Sequence, residues 1–429
     1  MDEPSAGPDA AESAVDAWIR AHRALLVRTL GDLVEVPTPS PPGRNTGPAQ
    51  ALVRARLERL GCAVDQWDVY PGDPDVVGVR RGLRSGEARS LLLHGHIDVA
   101  EVGDPSPWSR PPFRLTVEGD RAYGRGTADM KGGLAAGLVA LEAVEACGAR
   151  LLGDVVFESV VGEEQGEAGT ADACARGYRA DLAVAMDTSG LAVQGQGGVV
   201  TGWIVVESPE TFHDGLRGRM IHAGGGLHGA GAIEKMCRLI AALGDLERHW
   251  AVVLQYPGFP PGSTTINPAV IEGGRHPAFV ADRCALWITV HFYPDRRWEE
   301  VAQEVEAFVR AAAAADPWLA LHPPAFRWGG KSMLVDRGEV FPPVPLDPAH
   351  PGVAALLRAH GEIAGAPAAV GMSRSVSDGG WLAAAGMATA IYGPGRLEQA
   401  HAVDEWVDLR EVETAARVLA RLMLRWCGT

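Results

Sequence analysis

Residues 91–98 read Leu91-Leu92-Leu93-His94-Gly95-His96-Ile97-Asp98. Three leucines bounded by glycine make a short apolar run, the mark of a buried strand in an α/β sheet. Such sheets bind ligands beyond the carboxyl ends of their strands. His96 and Asp98 stand two residues apart at that end, so their side chains point the same way. A metal ligand with a carboxylate close behind it has this arrangement.

Two more apolar segments end alike. Val155-Val156-Phe157-Glu158-Ser159-Val160-Val161 runs into Gly162-Glu163-Glu164, and Leu182-Ala183-Val184-Ala185-Met186 runs into Asp187. Adjacent carboxylates at a strand exit repel each other unless a cation or proton relieves them. Upstream of both lies Tyr123-Gly124-Arg125-Gly126-Thr127-Ala128-Asp129-Met130-Lys131-Gly132-Gly133, which leads into an Ala/Leu helix, 134–147. Glycine lets backbone approach a site closely, and the positive end of a helix dipole favours the Asp129 carboxylate. Near the end of the chain His401 follows the turn Gly393-Pro394-Gly395. One shared metal site would explain why three strands end in acidic or histidine residues.

The remaining pattern gives two domains. Ala14 to Val36 repeats apolar residues at helical spacing and reads as one amphipathic helix; 49–60 is a second helix, and 64–69 alternates like a strand. Gly195 to Gly198 is a Gly/Gln hinge. After it come strand 200–207, a Gly/His-rich loop, helix 230–243, strands at 270–271 and 284–292, and helix 298–314. That order fits an α+β sandwich of the split βαβ type. The expected partition is 198–317 as an inserted domain, with 1–197 and 318–429 as the first. The first domain resumes after Pro323-Pro324 with helix 350–364, strand 387–392 and helix 409–426.

Bulk properties bound the function. The chain of 429 residues is too long for one ordinary domain. It is 47% hydrophobic and 22% charged, which suits a large packed core. A net charge of −15 argues against nucleic acid or an anionic membrane as partner. No segment has the roughly 18–20 apolar residues of a membrane span. The acidic N-terminal stretch lacks an apolar signal region. Six scattered cysteines without a CxxC pair read as reduced thiols, which points to the cytoplasm. Gly224 to Gly229 matches GxGxxG, yet no apolar strand leads into it, so it does not read as a dinucleotide site. The absence of GxSxG and HExxH counts against serine hydrolases and zincins.

His96, Asp129, Glu164, Asp187 and His401 are the candidate metal ligands. Each alone has a structural explanation: a histidine packed after a strand, a helix cap at Asp129, a solvated turn at Glu163-Glu164. Together they fit two adjacent divalent cations bridged by one carboxylate, with zinc favoured and cobalt or manganese as substitutes. Asp98 can hydrogen-bond the far nitrogen of His96 or a neighbouring group. Glu163 remains free to act as general base on an activated water.

These motifs resemble the di-zinc metallopeptidase family of acetylornithine deacetylase, succinyl-diaminopimelate desuccinylase, aminoacylase and glutamate carboxypeptidase. The resemblance is carried by His94-Gly95-His96-Ile97-Asp98-Val99, Gly124-Arg125-Gly126 with Asp129-Met130-Lys131-Gly132-Gly133, Gly162-Glu163-Glu164, Asp187, Gly393-Pro394-Gly395 and His401. It implies a three-layer α/β catalytic domain with a mixed sheet and an inserted ferredoxin-like lid that pairs two subunits. It further implies two zinc ions per subunit: His96 and Asp187 on one, Glu164 and His401 on the other, Asp129 bridging. Glu163 is then the general base and Asp98 the carboxylate behind the first site. His222, in Gly218-Arg219-Met220-Ile221-His222-Ala223, is the lid histidine that stabilises the oxyanion, and Asn267 the lid asparagine near the substrate. Where family members often carry a carboxylate-binding arginine, this chain has His291. A histidine lacks the bidentate fork, so the substrate lacks the usual α-carboxylate or another residue, such as Arg374, binds it. Gly395 and the loop from Ser373 to Asp378 are the expected selectivity elements.

The sequence thus predicts a cytoplasmic, homodimeric, zinc-dependent amidohydrolase that removes an acyl group from an N-acyl amino acid or related small amide. A dipeptidase or carboxypeptidase of the same family is the alternative. From another class, a non-catalytic metal- or small-molecule-binding protein stays open.

Overall fold

The computed structural model describes residues 8–166, 169–217, 230–333 and 335–429. The chain divides into two compact units, 1–196 with 343–429, and 197–342. The N-terminal segment of the first unit carries α1 (Pro8–Ala21), α2 (Arg23–Val34), α3 (Gly47–Arg59), β1 (Ala63–Tyr70), β2 (Asp73–Arg80), β3 (Leu91–His96), β4 (Thr116–Glu118), β5 (Arg121–Tyr123), α4 (Gly132–Ala146), β6 (Val155–Val160), α5 (Gly169–Ala175), β7 (Leu182–Ala185) and β8 (Val193–Gln196). The second unit holds β9 (Gly198–Glu207), α6 (Ala232–Val253), β10 (Ile266–Gly273), β11 (Arg283–Phe292), α7 (Trp298–Ala314), β12 (Ala325–Trp328) and β13 (Val340–Phe341). The chain then returns with α8 (Pro351–Ala364), β14 (Val370–Ser373), α9 (Gly379–Ala384), β15 (Ala388–Ile391), β16 (Trp406–Asp408) and α10 (Leu409–Trp426).

The first unit is built on an eight-stranded mixed sheet in the order β1-β2-β6-β3-β7-β15-β8-β14. The four central strands β6, β3, β7 and β15 are mutually parallel. β3, β6 and β7 are buried throughout, which is why their sequences are almost wholly apolar. Successive residues alternate between two cores. Leu91, Leu93 and Phe157 pack with Leu134 and Leu138 of α4 and with Leu419 and Met423 of α10. Leu92, Val156 and Ala183 pack on the other face with Cys174 of α5 and Leu382 of α9. Helices therefore cover both faces, giving three layers.

The second unit is a five-stranded antiparallel sheet, ordered β10-β11-β9-β12, with β13 also on β9. Its chain order β9-α6-β10-β11-α7-β12 is that of the ferredoxin-like fold. Leu239, Leu243, Leu246 and Trp250 of α6 and Val301, Val305 and Val309 of α7 are buried.

Several boundaries differ from expectation, each for a physical reason. The inserted unit ends at Pro342 rather than 317, because β12 and β13 hydrogen-bond to β9; Pro323-Pro324 leads into another strand of the same sheet. The expected single helix 14–36 is two, interrupted at His22, whose ψ of 25° is not helical. α6 runs ten residues beyond the expected 243, because the apolar spacing persists through Leu246 and Trp250 past Gly244. Among the described residues no helix is long and apolar enough to cross a membrane.

Candidate metal centre

Parallel pairing of β6, β3 and β7 opens their carboxyl ends on one edge of the sheet. His96 is the last residue of β3, Glu163 and Glu164 follow β6, and Asp187 follows β7. His401 comes in the loop after β15, the next parallel strand. Asp129 arrives from the other side, on the turn before α4. Gly133 allows that approach: a Cβ there would lie 1.9 Å from the Met186 carbonyl oxygen at the exit of β7. Gly395, at φ +81°, packs the Gly393-Pro394-Gly395 turn against Ala128, which a Cβ would meet at 3.0 Å.

Four of the five donors, His96, Asp129, Glu164 and His401, converge. His96 Nε2 lies 3.2 Å from Asp129 Oδ1, and His401 Nε2 lies 3.6 Å from Asp129 Oδ2. His401 Nε2 is also 2.8 Å from Glu164 Oε2. Ligand atoms of His96, Asp129 and Glu164 all fall within 4.8 Å of one another. Each oxygen of Asp129 thus faces a different histidine, the disposition of a carboxylate shared between two cations. Glu164 Oε1 is buried with no hydrogen-bond partner. A buried acceptor of this kind is costly unless a cation or water satisfies it, so the residues fit metal.

The electrostatics agree. Burial, and then the charge of Asp129, push the Asp187 carboxyl up to about 6. Burial drives Glu164 to about 7 despite its bond to His401. Burial and the charges of Asp378, Asp187 and Glu164 hold Glu163 well above the usual range. Burial also raises Asp129, but the His96 bond and the charges of His96, His401 and Arg125 outweigh it and leave that carboxyl low. So many acids cannot ionise together cheaply, and divalent cations would relieve them.

Asp98 acts on backbone. The Nδ1 of His96 donates to the Asp98 carbonyl oxygen at 2.9 Å, which leaves Nε2 turned toward Asp129. The Asp98 carboxylate, 3.8 Å from that ring, instead accepts the amides of Gly162 at 3.0 Å and Glu164 at 3.1 Å. It therefore fixes the turn that carries Glu163 and Glu164. His94, on the same face of β3, stays out of the cluster; its Nδ1 is 3.2 Å from buried Glu158.

Other expected positions are divided between the two units. Arg374 is exposed after β14 and Gly395 is buried beside Ala128. Asn267, exposed on β10, and half-buried His291, on β11, belong to the second unit. His222 lies outside the described residues. Sequence reasoning gave no role to Glu405. That buried carboxylate accepts the amides of Gly126, Ala128 and Asp129 and pairs with Arg125 at 2.8 Å. The only sequence signal was a charged residue between two glycines, Gly124-Arg125-Gly126.

The fold and this cluster define a metal-dependent hydrolase. The chain matches the model of peptidase family M20/M25/M40 over residues 92–425 and belongs to that family; it is an enzyme that hydrolyses C–N amide bonds. It is 53% identical over 411 residues, 96% of each chain, to an N-formyl-4-amino-5-aminomethyl-2-methylpyrimidine deformylase of Halalkalibacterium halodurans. A protein of Bacillus subtilis with the same name is 49% identical over 410 residues, again 96% of each. Among solved structures, a dinuclear metal binding peptidase of the family from Bacillus subtilis superposes with a TM-score of 0.66 at 16% identity, covering 94% of this chain and 98% of its own. The expected acetylornithine-like substrate class differs from that of the two half-identical relatives, whose name is of a formylated pyrimidine amide.

Proposed function

We propose that the chain is a two-cation amidohydrolase that removes the formyl group from the aminomethyl nitrogen of a substituted pyrimidine. The carrying observation is the 53% identity, across 96% of both chains, to a deformylase of such a compound. His291 supports it. Burial lowers the pKa of this imidazole, so at neutral pH it offers no charge to a carboxylate, and the compound named for those relatives carries none.

His96 and Asp187 would hold one cation, Glu164 and His401 the other, with Asp129 between them. Imidazole and carboxylate donors suit zinc, with cobalt or manganese as substitutes. Bound there, the cations would supply an acidified water and a polarised formyl carbonyl. Glu163 accepts a proton from the attacking water and delivers it to the departing amine. Asp98 keeps Glu163 in register through the Gly162–Glu164 turn. On the family resemblance alone, His222 takes the oxyanion and Asn267 lies near the substrate; with no carboxylate to bind, Arg374 is not needed as its partner, and the turn at Gly395 remains the expected selectivity element. Six free cysteines agree with a cytoplasmic protein.

A dipeptidase or carboxypeptidase is the competing reading. Formate release from an N-formyl aminomethylpyrimidine should exceed, in kcat/KM, any turnover of dipeptides, N-acetylornithine or N-succinyl amino acids. Faster cleavage of a dipeptide would replace this reading with the alternative.

A further inference from the structure

Arg125 and Glu405 form a buried ion pair beside the centre that contributes no ligand to it. Glu405 Oε1 accepts the amides of Ala128 and Asp129, at 2.8 and 3.1 Å. Its Oε2 accepts the Gly126 amide at 2.9 Å and Arg125 Nη1 at 2.8 Å. The guanidinium then reaches three carbonyl oxygens, those of Glu101, His401 and Ala402, each at 3.3 Å. The Trp108 ring lies 5.0 Å from it. Two strands of chain far apart in sequence are thereby tied, one carrying Asp129 and one carrying His401.

The tie is needed where it falls. His401 and Asp404 have φ of +61° and +52°, the left-handed region that side chains other than glycine rarely adopt. Arg125 bonds the carbonyls at the start of that segment, and Glu405 closes it. By contrast, the His96 ring and the Gly162–Glu164 turn are held by Asp98. The centre thus has two separate sets of supports.

We propose that Arg125 and Glu405 are positioning residues that fix the separation of Asp129 and His401, and so govern binding of the cation shared by His401 and Glu164 more than that of the cation held by His96 and Asp187. This rests on the two-cation reading above. Buried ion pairs are poor evidence for stability in general; here, apart from the pair itself and the bond to Glu101, the bonds end on backbone of the segments that carry two of the candidate ligands.

Glu405→Gln and Arg125→Lys test it in the full chain, stripped with a chelator and titrated with Co2+ by calorimetry. Glu405→Gln keeps the size but sets an NH2 against amide donors, and Arg125→Lys keeps the charge but loses the fork. Wild type should bind two equivalents. Each variant should bind the first as wild type does and the second about 10–100-fold more weakly, the usual effect of groups that orient ligands. Because the pair acts as a unit, the double variant should lose little beyond either single one. Melting of the stripped proteins checks folding; should Glu405→Gln not fold, Arg125→Lys decides. Equal weakening of both equivalents, or of neither, overturns the proposal. A wild type that binds no second equivalent overturns the two-cation reading instead.

Discussion

Asp129 turns one carboxylate oxygen to His96 and the other to His401, and Glu163 stands on the turn beside them with a raised pKa. Glu163→Gln removes the proton carrier while leaving those donors in place. Loss of a general base typically costs about 10²–10⁴-fold, so kcat for formate release should fall by that range. Elemental analysis should show the metal content unchanged. A variant with near-wild-type kcat would take Glu163 out of the mechanism. The candidate ligands His96, Glu164 and Asp187 were legible in the sequence because each follows a recognisable apolar run, Asp129 because a glycine-rich stretch sets it before a helix, and His401 because it follows the Gly393-Pro394-Gly395 turn. Glu405 and Arg125 were not. They lie 280 positions apart and bond mostly to backbone, which leaves no spacing to read.

Among elements, the close seating of α4 against the exit of β7 brings Asp129 to the sheet edge. Gly133→Ala would place a methyl 1.9 Å from the Met186 carbonyl, so the helix start must shift. Overpacking of this kind costs about 1–3 kcal/mol; the variant should melt at lower temperature and carry less metal. Unchanged melting and metal content would show that the contact is not tight. Long apolar strands and amphipathic helices were readable from periodicity; α7 and α10 have the expected bounds. Short strands such as β8 and β14 were not. Each has four residues with a glycine among them; β14 pairs only with β8, and β8 joins the rest of the sheet through a single pairing with β15. β12 was hidden for a similar reason, since Pro323-Pro324 mimics a domain boundary.

For the whole molecule, the prediction concerns β10. It is the outer strand of the second unit's sheet, exposed after its first residue, with Val270 45% and Ile271 51% accessible. An apolar edge left open pairs readily with another chain, so a homodimer through β10 is expected. Light scattering should give twice the chain mass for wild type and the single mass for a variant carrying Val270→Lys and Ile271→Lys. A monomeric wild type, or a variant that stays dimeric, would place the interface elsewhere or remove it.

The claim beneath all of this is that two cations gathered by His96, Asp129, Glu164, Asp187 and His401 make the water reactive. The direct measurement strips the protein with a chelator and follows formate release as Zn2+ is titrated back. Activity should vanish on stripping and recover fully at about two equivalents per chain, as a shared two-metal site requires. Undiminished turnover in the stripped protein would contradict the account.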